Sequence, residues 1–160
     1  MILREYAAAD LAACTKIWNE IVEEGVAFAM DAPISEGDMA QFLAAQSRVA
    51  CAEEQGKVLG FYILHPVDIG RRAHIANASY AVSAAARGKG VGRKLVTDCI
   101  EAARESGFRG LQFNAVAKRN HAAIALYEKL GFHTVGEIPG GFHRKDGSYD
   151  DLVLFFLPLL

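Results

Sequence analysis

A chain of 160 residues, 52% apolar and carrying a formal net charge of −2, has the size of one globular domain spanning residues 1–160 and can bury roughly 70% of the surface its unfolded form exposes. The near balance of charge excludes a disordered polyelectrolyte and gives no reason to expect a nucleic-acid partner. Cys14, Cys51 and Cys99 are odd in number and widely spaced, which argues against a disulfide framework or a zinc site and for a reducing cytoplasm.

Ile2 to Glu5 is a short strand candidate. Asp10 is placed to cap a helix from Leu11 to Glu24, whose apolar stripe is Leu11, Cys14, Ile17, Trp18 and Ile21 and whose end is marked by Gly25. Val26 to Ile34 shows no period and is expected to be a loop, followed by a helix from Ser35 with Glu36 and Asp38 in its first turn. Arg48–Glu53 and Val58–His65 read as strands of a hairpin turned at Gln55-Gly56. His74 to Ser83 is the next strand, with Ile75, Asn77, Ser79 and Ala81 on one face and Ala76, Ala78, Tyr80 and Val82 on the other. A helix beginning near Gly92 and ending at Gly107 leads to a strand at Leu111–Ala117, expected to run parallel to the previous strand. On that strand Asn114 is expected to share a side with Gln112 and Val116. A helix from His121 to Leu130 follows. Strands at His133–Ile138 and Leu152–Leu157 close the chain, separated by turns at Pro139-Gly140-Gly141 and Lys145-Asp146-Gly147. The longest apolar run, Leu152 to Leu157, is too short to span a bilayer, and no basic segment with an apolar core opens the chain, so a soluble protein without a membrane partner is expected.

The stretch Arg87-Gly88-Lys89-Gly90-Val91-Gly92-Arg93-Lys94 joins the strand ending at Val82 to the next helix. Glycines at alternate positions let successive N–H groups turn toward one anion at the start of a helix. Four cations at the positive end of a helix dipole are unfavourable unless something negative sits among them. A flexible basic turn is the plain alternative. The spacing fits neither the dinucleotide fingerprint, whose third glycine would fall on Arg93, nor the Lys-Ser or Lys-Thr ending of a P-loop.

The pattern Arg87-x-x-Gly90-x-Gly92 resembles the pyrophosphate-binding motif of the GCN5-related N-acetyltransferases (GNAT family). Downstream, Asn120 to Phe132 is similar to the same family's Asn-x-x-Ala-x-x-Leu-Tyr-x-x-x-Gly-Phe signature. The resemblance covers the chain from about Ile75 onward by specific motifs, and the first seventy residues by general pattern. It implies an α/β fold: a single-domain GNAT-like mixed sheet with helices on both faces and a central βαβ unit. It also implies acetyl-coenzyme A as co-substrate, held by Arg87, Gly88, Lys89, Gly90, Val91, Gly92 and Arg93, by backbone groups of Tyr80, Ala81 and Val82, and by Asn120, which is also the expected cap of its helix. The resemblance places Tyr127 near the coenzyme sulfur as the catalytic acid for the departing thiolate. A helix-face tyrosine packed against Leu130 is the structural alternative.

One departure from the family pattern stands out. Many members carry a glutamate on the strand before the glycine loop, whereas no Asp or Glu lies between Asp68 and Asp98, and Asn77 is near that slot. An amide cannot take up a proton at neutral pH. Asn77 and Asn114 are therefore candidates to hydrogen-bond the acceptor, or else to satisfy local backbone. Phe28 and Met30, in the segment the resemblance places over the acceptor, are candidates to line its pocket or to fill core. His65, His74, His121, His133 and His143 show no ligand spacing, so no metal is expected. The expected partner is a small-molecule amine, an amino acid or an analogue, since no acidic stripe suits a polycation. A protein or peptide N-acetyltransferase and a non-catalytic acyl-coenzyme A binding module are the alternatives, and a homodimer is compatible with each.

Overall fold

The computed structural model describes residues 1–160. Seven strands form one sheet: β1 (Ile2–Glu5), β2 (Arg48–Glu54), β3 (Lys57–Pro66), β4 (Ile75–Val82), β5 (Gly110–Ala117), β6 (His133–His143) and β7 (Tyr149–Pro158). Their order is β1-β2-β3-β4-β5-β7-β6. All neighbours pair antiparallel except β4 and β5, which run parallel. Four helices complete the fold: α1 (Leu11–Glu24), α2 (Glu36–Ala44), α3 (Val91–Glu105) and α4 (His121–Lys129).

The period-2 alternation of the strands divides the apolar residues between two cores. On one face Cys14, Ile17, Trp18 and Ile21 of α1 and Met39 and Leu43 of α2 pack on Cys51, Phe61, Ile63 and Ala81. On the other, Val91, Leu95, Val96, Cys99 and Ala103 of α3 pack on Ala50, Tyr62, Leu64, Ala76, Ala78 and Leu111, with the apolar side of α4 beside them. The expected alternation along β4 is present. Local chemistry sets the ends of the helices: the Ser35 hydroxyl accepts the Asp38 N–H (3.1 Å) to start α2, and Gly25 at φ 68° closes α1 by donating to the carbonyls of Ile21 and Val22. The β2–β3 turn takes positive φ at both Gln55 and Gly56.

The structure corrects three local expectations. Asp10 does not cap α1; its carboxylate accepts the Ala7 N–H (2.8 Å) and binds the Arg4 guanidinium through both oxygens (2.7 and 2.9 Å). The Pro139-Gly140-Gly141 segment is not a turn between strands. Strand β6 runs through it, with the register against β7 shifting between Ile138 and Phe142, and the Asp151 carboxylate accepts the Gly140 N–H (2.9 Å). Val116 does not share a side with Asn114: the register with β7 shifts between Phe113 and Val116, and both of these residues join the α3-side core. A bulge holding Asn114 and Ala115 lies between them.

Candidate active site

Strands β4 and β5 pair only at their first residues, Ile75 with Gly110 and Ala76 with Leu111. Beyond that point they diverge, and the edge of β4 from Asn77 onward has no neighbour on the β5 side. The bulge at Asn114-Ala115 bends β5 along the same stretch. A cavity of about 650 Å3 occupies the opening and runs from the glycine loop, past α4, to α1 and the 26–34 loop.

At one end of the cavity lies the N-terminus of α3. Gly88 and Gly90 have φ of 75° and 78°, and a Cβ built on either would meet nothing within 4 Å, so the loop presents bare backbone to open space. The first helical bond runs from Lys94 N–H to the Gly90 carbonyl (3.2 Å). No side chain caps the helix. The N–H groups of Val91, Gly92 and Arg93 are thereby left for an anion. Lys89, Arg93 and Lys94 are exposed, and none of the ion pairs engages them. Arg87 differs from this expectation: its guanidinium binds both carboxylate oxygens of Glu24 at the end of α1 (2.8 and 3.0 Å), tying the loop to the opposite layer.

In the middle of the cavity stands Tyr127. Its ring lies 4.6 Å from Phe113, 5.6 Å from Phe132 and 5.7 Å from Phe155, centroid to centroid. Its hydroxyl makes no hydrogen bond within the protein and opens onto the cavity. Burial raises its pKa above the ordinary phenol value, so it stays protonated through the physiological range. Leu130 packs on the same core, so the anchoring expected of a structural tyrosine is present as well. Tyr80 is 6.3 Å from Tyr127 between ring centroids, and its buried hydroxyl has no partner. Burial pushes Tyr80 up strongly. Asn120 caps α4, accepting the Ala123 N–H (3.3 Å), and its side chain also borders the cavity.

The far end is built from side chains. Trp18 is flanked by Phe28 (4.3 Å) and Phe42 (5.4 Å), and its indole N–H points at the Met30 sulfur (3.2 Å). The 26–34 loop is held by Asn19, whose amide donates to the Ile34 carbonyl and accepts its N–H, both at 2.9 Å. Asn77 and Asn114 both line this cavity. The Asn77 carbonyl oxygen is used by the Ala78 N–H (2.8 Å) and that of Asn114 by the Gln112 amide (2.6 Å). The local-backbone alternative is thus realised for Asn77, but each side-chain NH2 remains without a protein partner.

Glu24, Phe42, His65 and Ser79 line the cavity although the sequence did not single them out as site residues. His65 had a legible signal, because it is a polar ring at the last position of the alternation Phe61, Ile63, His65 that otherwise packs beneath α1. Glu24 had none, since only the tertiary contact with Arg87 brings the end of α1 to the site. No group of three or more His, Cys, Asp or Glu side chains is placed to hold a metal ion, and no helix is long and apolar enough to cross a membrane.

Two parallel strands that splay beside an uncapped glycine-rich helix N-terminus frame this cavity. Residues 11–132 match the Acetyltransferase (GNAT) family, and the chain belongs to that family. It is 32% identical over 166 residues to the L-methionine sulfoximine/L-methionine sulfone acetyltransferase of Salmonella typhimurium, covering 99% of this chain and 95% of that one. The structure of a GCN5-related N-acetyltransferase from Kribbella flavida superposes with a TM-score of 0.93 at 37% identity, over 99% of this chain and 97% of the other. The phosphinothricin acetyltransferase of Sinorhizobium meliloti in complex with AcCoA superposes with the same score at 28% identity, over 99% and 88%. Against two fungal relatives matched over 81 residues, the chain spans only 13% and 39% of their lengths.

Proposed function

We propose that this protein transfers an acetyl group from acetyl-coenzyme A to the amino group of a small molecule, an amino acid or a close analogue. The observation that carries the reading is the continuity of free backbone N–H groups at α3, an unpaired β4 edge and the Tyr127 hydroxyl along one cavity. The residues present suit the coenzyme. The N–H groups of Val91, Gly92 and Arg93, with Lys89 and Arg93 around them, hold the pyrophosphate, while the backbone of Tyr80, Ala81 and Val82 pairs with the pantetheine amides as an added strand would. Bound acetyl-coenzyme A supplies the activated acyl group; the chain supplies orientation and proton handling.

Tyr127 keeps its proton until negative charge develops on the departing sulfur, then donates to it. An aromatic environment around a neutral phenol suits that timing, because the ring does not ionise early. The unpaired amides of Asn77 and Asn114 are donors, and donors call for an acceptor molecule carrying oxygens, such as a carboxylate. Trp18, Phe28, Met30 and Phe42 offer an apolar recess for the rest of it. The relative from Salmonella typhimurium that is named for methionine-derived amino acids supports this choice of class, and the enclosing loop favours a small acceptor over a peptide.

The test is coenzyme A release measured with a thiol reagent across amino acids, methionine sulfoximine, methionine sulfone, phosphinothricin, polyamines and lysine-containing peptides. Turnover confined to amino-acid-like acceptors is expected. Turnover confined to peptides would replace this reading with a protein acetyltransferase, and tight acetyl-coenzyme A binding without turnover would leave a binding module.

A further inference from the structure

We propose that His65 takes the proton from the ammonium form of the acceptor, the task for which no carboxylate is available on β4. The inference rests on the acetyltransferase reading above.

His65 is the penultimate residue of β3 and lies opposite Asn77 in the β3–β4 register. Directly opposed residues hold their Cβ atoms about 5 Å apart, so the imidazole and the Asn77 amide occupy one patch of cavity wall. The ring's Nδ1 lies 2.9 Å from the Pro66 carbonyl. A carbonyl oxygen can only accept, so Nδ1 carries the hydrogen, and in the neutral ring the lone pair is on Nε2. A ring held in one tautomer by a backbone carbonyl, half-buried at the edge of a cavity, is the arrangement a general base requires.

The other charged or titratable groups facing this cavity are Glu24 from α1, Arg87 from the loop after β4, Tyr80 from β4 and Tyr127 from α4. Glu24 is held by Arg87. Burial keeps both tyrosines neutral. Asp68, three residues beyond His65, is paired with Arg72 and accepts the Ile69 N–H. His65 is therefore the cavity side chain that offers a free basic lone pair, on Nε2, to the acceptor.

The protons balance as follows. The ammonium gives one proton to Nε2 of His65, and the neutral amine attacks the thioester carbonyl. The C–N bond forms and the C–S bond breaks. Tyr127 donates its hydroxyl proton to the sulfur, and the excess proton on the new amide nitrogen returns to the Tyr127 oxygen. His65 then releases its proton to solvent, so that one ammonium and one thioester give one amide, one thiol and one proton.

The experiment compares His65→Gln with wild type in pH profiles of kcat/KM for the best amine found among amino acids and their analogues. Wild type is expected to rise with pH and then to level off. His65→Gln is expected to lose that limb, to be slower by roughly a hundredfold at pH 7, and to approach wild type near pH 9.5, where the free amine is abundant. An unchanged acetyl-coenzyme A melting shift shows that the variant is folded and binds donor. Long-range 1H–15N spectra of wild type, with His65 assigned by its absence in the variant, should show the Nδ1–H tautomer. An unaltered profile in the variant, an equal loss at every pH, or the Nε2–H tautomer would each overturn the assignment. If wild type itself turns over no amine, it is the acetyltransferase reading that fails.

Discussion

The two ends of the cavity are made of different material. The end at the glycine loop, where the proposal seats the donor, is backbone: free N–H groups at the start of α3, two glycines in the left-handed region and an unpaired strand edge. The opposite end, where the proposal seats the acceptor, is side chain, contributed by α1, the 26–34 loop, α2, β3, β4 and β5. Backbone recognition tolerates little variation because the geometry is dictated by φ and ψ, whereas side-chain recognition can be rewritten one residue at a time. A family can thus hold its donor fixed and change its acceptor, which is why similarity to acetyltransferases informs the first more than the second.

That contrast can be broken experimentally, most severely at the donor end. Gly90→Asp places a carboxylate where phosphate should lie, and like charges in contact cost several kcal/mol, so acetyl-coenzyme A affinity should fall by a hundredfold or more. The ligand-induced melting shift would read this. Gly90→Asn is the control, since asparagine tolerates positive φ and brings no charge, and it should keep most of the shift. Equal losses in both would move the cause from charge to backbone.

Tyr127→Phe should come next, lowering kcat by about a hundredfold while the coenzyme melting shift stays unchanged. Because burial raises the Tyr127 pKa, the group remains a donor as pH increases, and no loss of kcat attributable to its ionisation is expected up to pH 10. A rate in the phenylalanine variant equal to wild type would show that water supplies the proton.

At the acceptor end the effects should be smaller and confined to the amine. Asn77→Ala and Asn114→Ala each remove a donor with no other partner, and leaving a polar substrate group unpaired costs about 1–3 kcal/mol. Each should reduce kcat/KM for the amine roughly tenfold, and the double variant should lose less than the product, because both amides would hold one molecule. Multiplicative losses would mean that the two act on different ligands. Asn19→Ala frees the 26–34 loop by removing both bonds to Ile34. It should raise KM for the amine a few-fold with kcat for saturating amine retained, and an unchanged KM would show that Phe28 and Met30 do not form the recess.

The smallest kinetic effect is expected from Asp10→Asn, which lies outside the cavity. Hydrogen bonding from Arg4 holds the Asp10 carboxyl below the usual carboxylate range. Its folded pKa is below the unfolded value of about 3.9, so its stabilisation is complete above pH 4 and is lost as pH falls through the folded pKa. The variant should have wild-type kinetics and a lower melting temperature at pH 7, with the gap closing as pH falls below 4. A constant gap at all pH values would locate the effect in packing, not in the ion pair.

How much of this could be read from residues alone follows the same division. The alternation of β4 and the stripe of α1 placed both cores, because periods of 2 and 3.6 are local properties of the chain. The glycine loop and the Asn120–Phe132 segment were legible because each is contiguous. Asp10 failed as a cap because Arg4, on a neighbouring strand, offered a charged partner that no local rule anticipates. The Pro139-Gly140-Gly141 segment failed as a turn because pairing with β7 absorbed its two extra residues as a bulge.

What the sequence determined by itself was therefore the family, the sheet's central crossover and the glycine loop that opens α3, all of which are encoded in runs of neighbouring residues. Tertiary structure alone decided the divergence of β4 from β5, the capture of Arg87 by Glu24, the side of Val116 and the meeting of His65 with Asn77. Those features depend on register, bulges and charge pairs between residues far apart in the chain, and such pairings are set by the packing of whole layers, which no local period records.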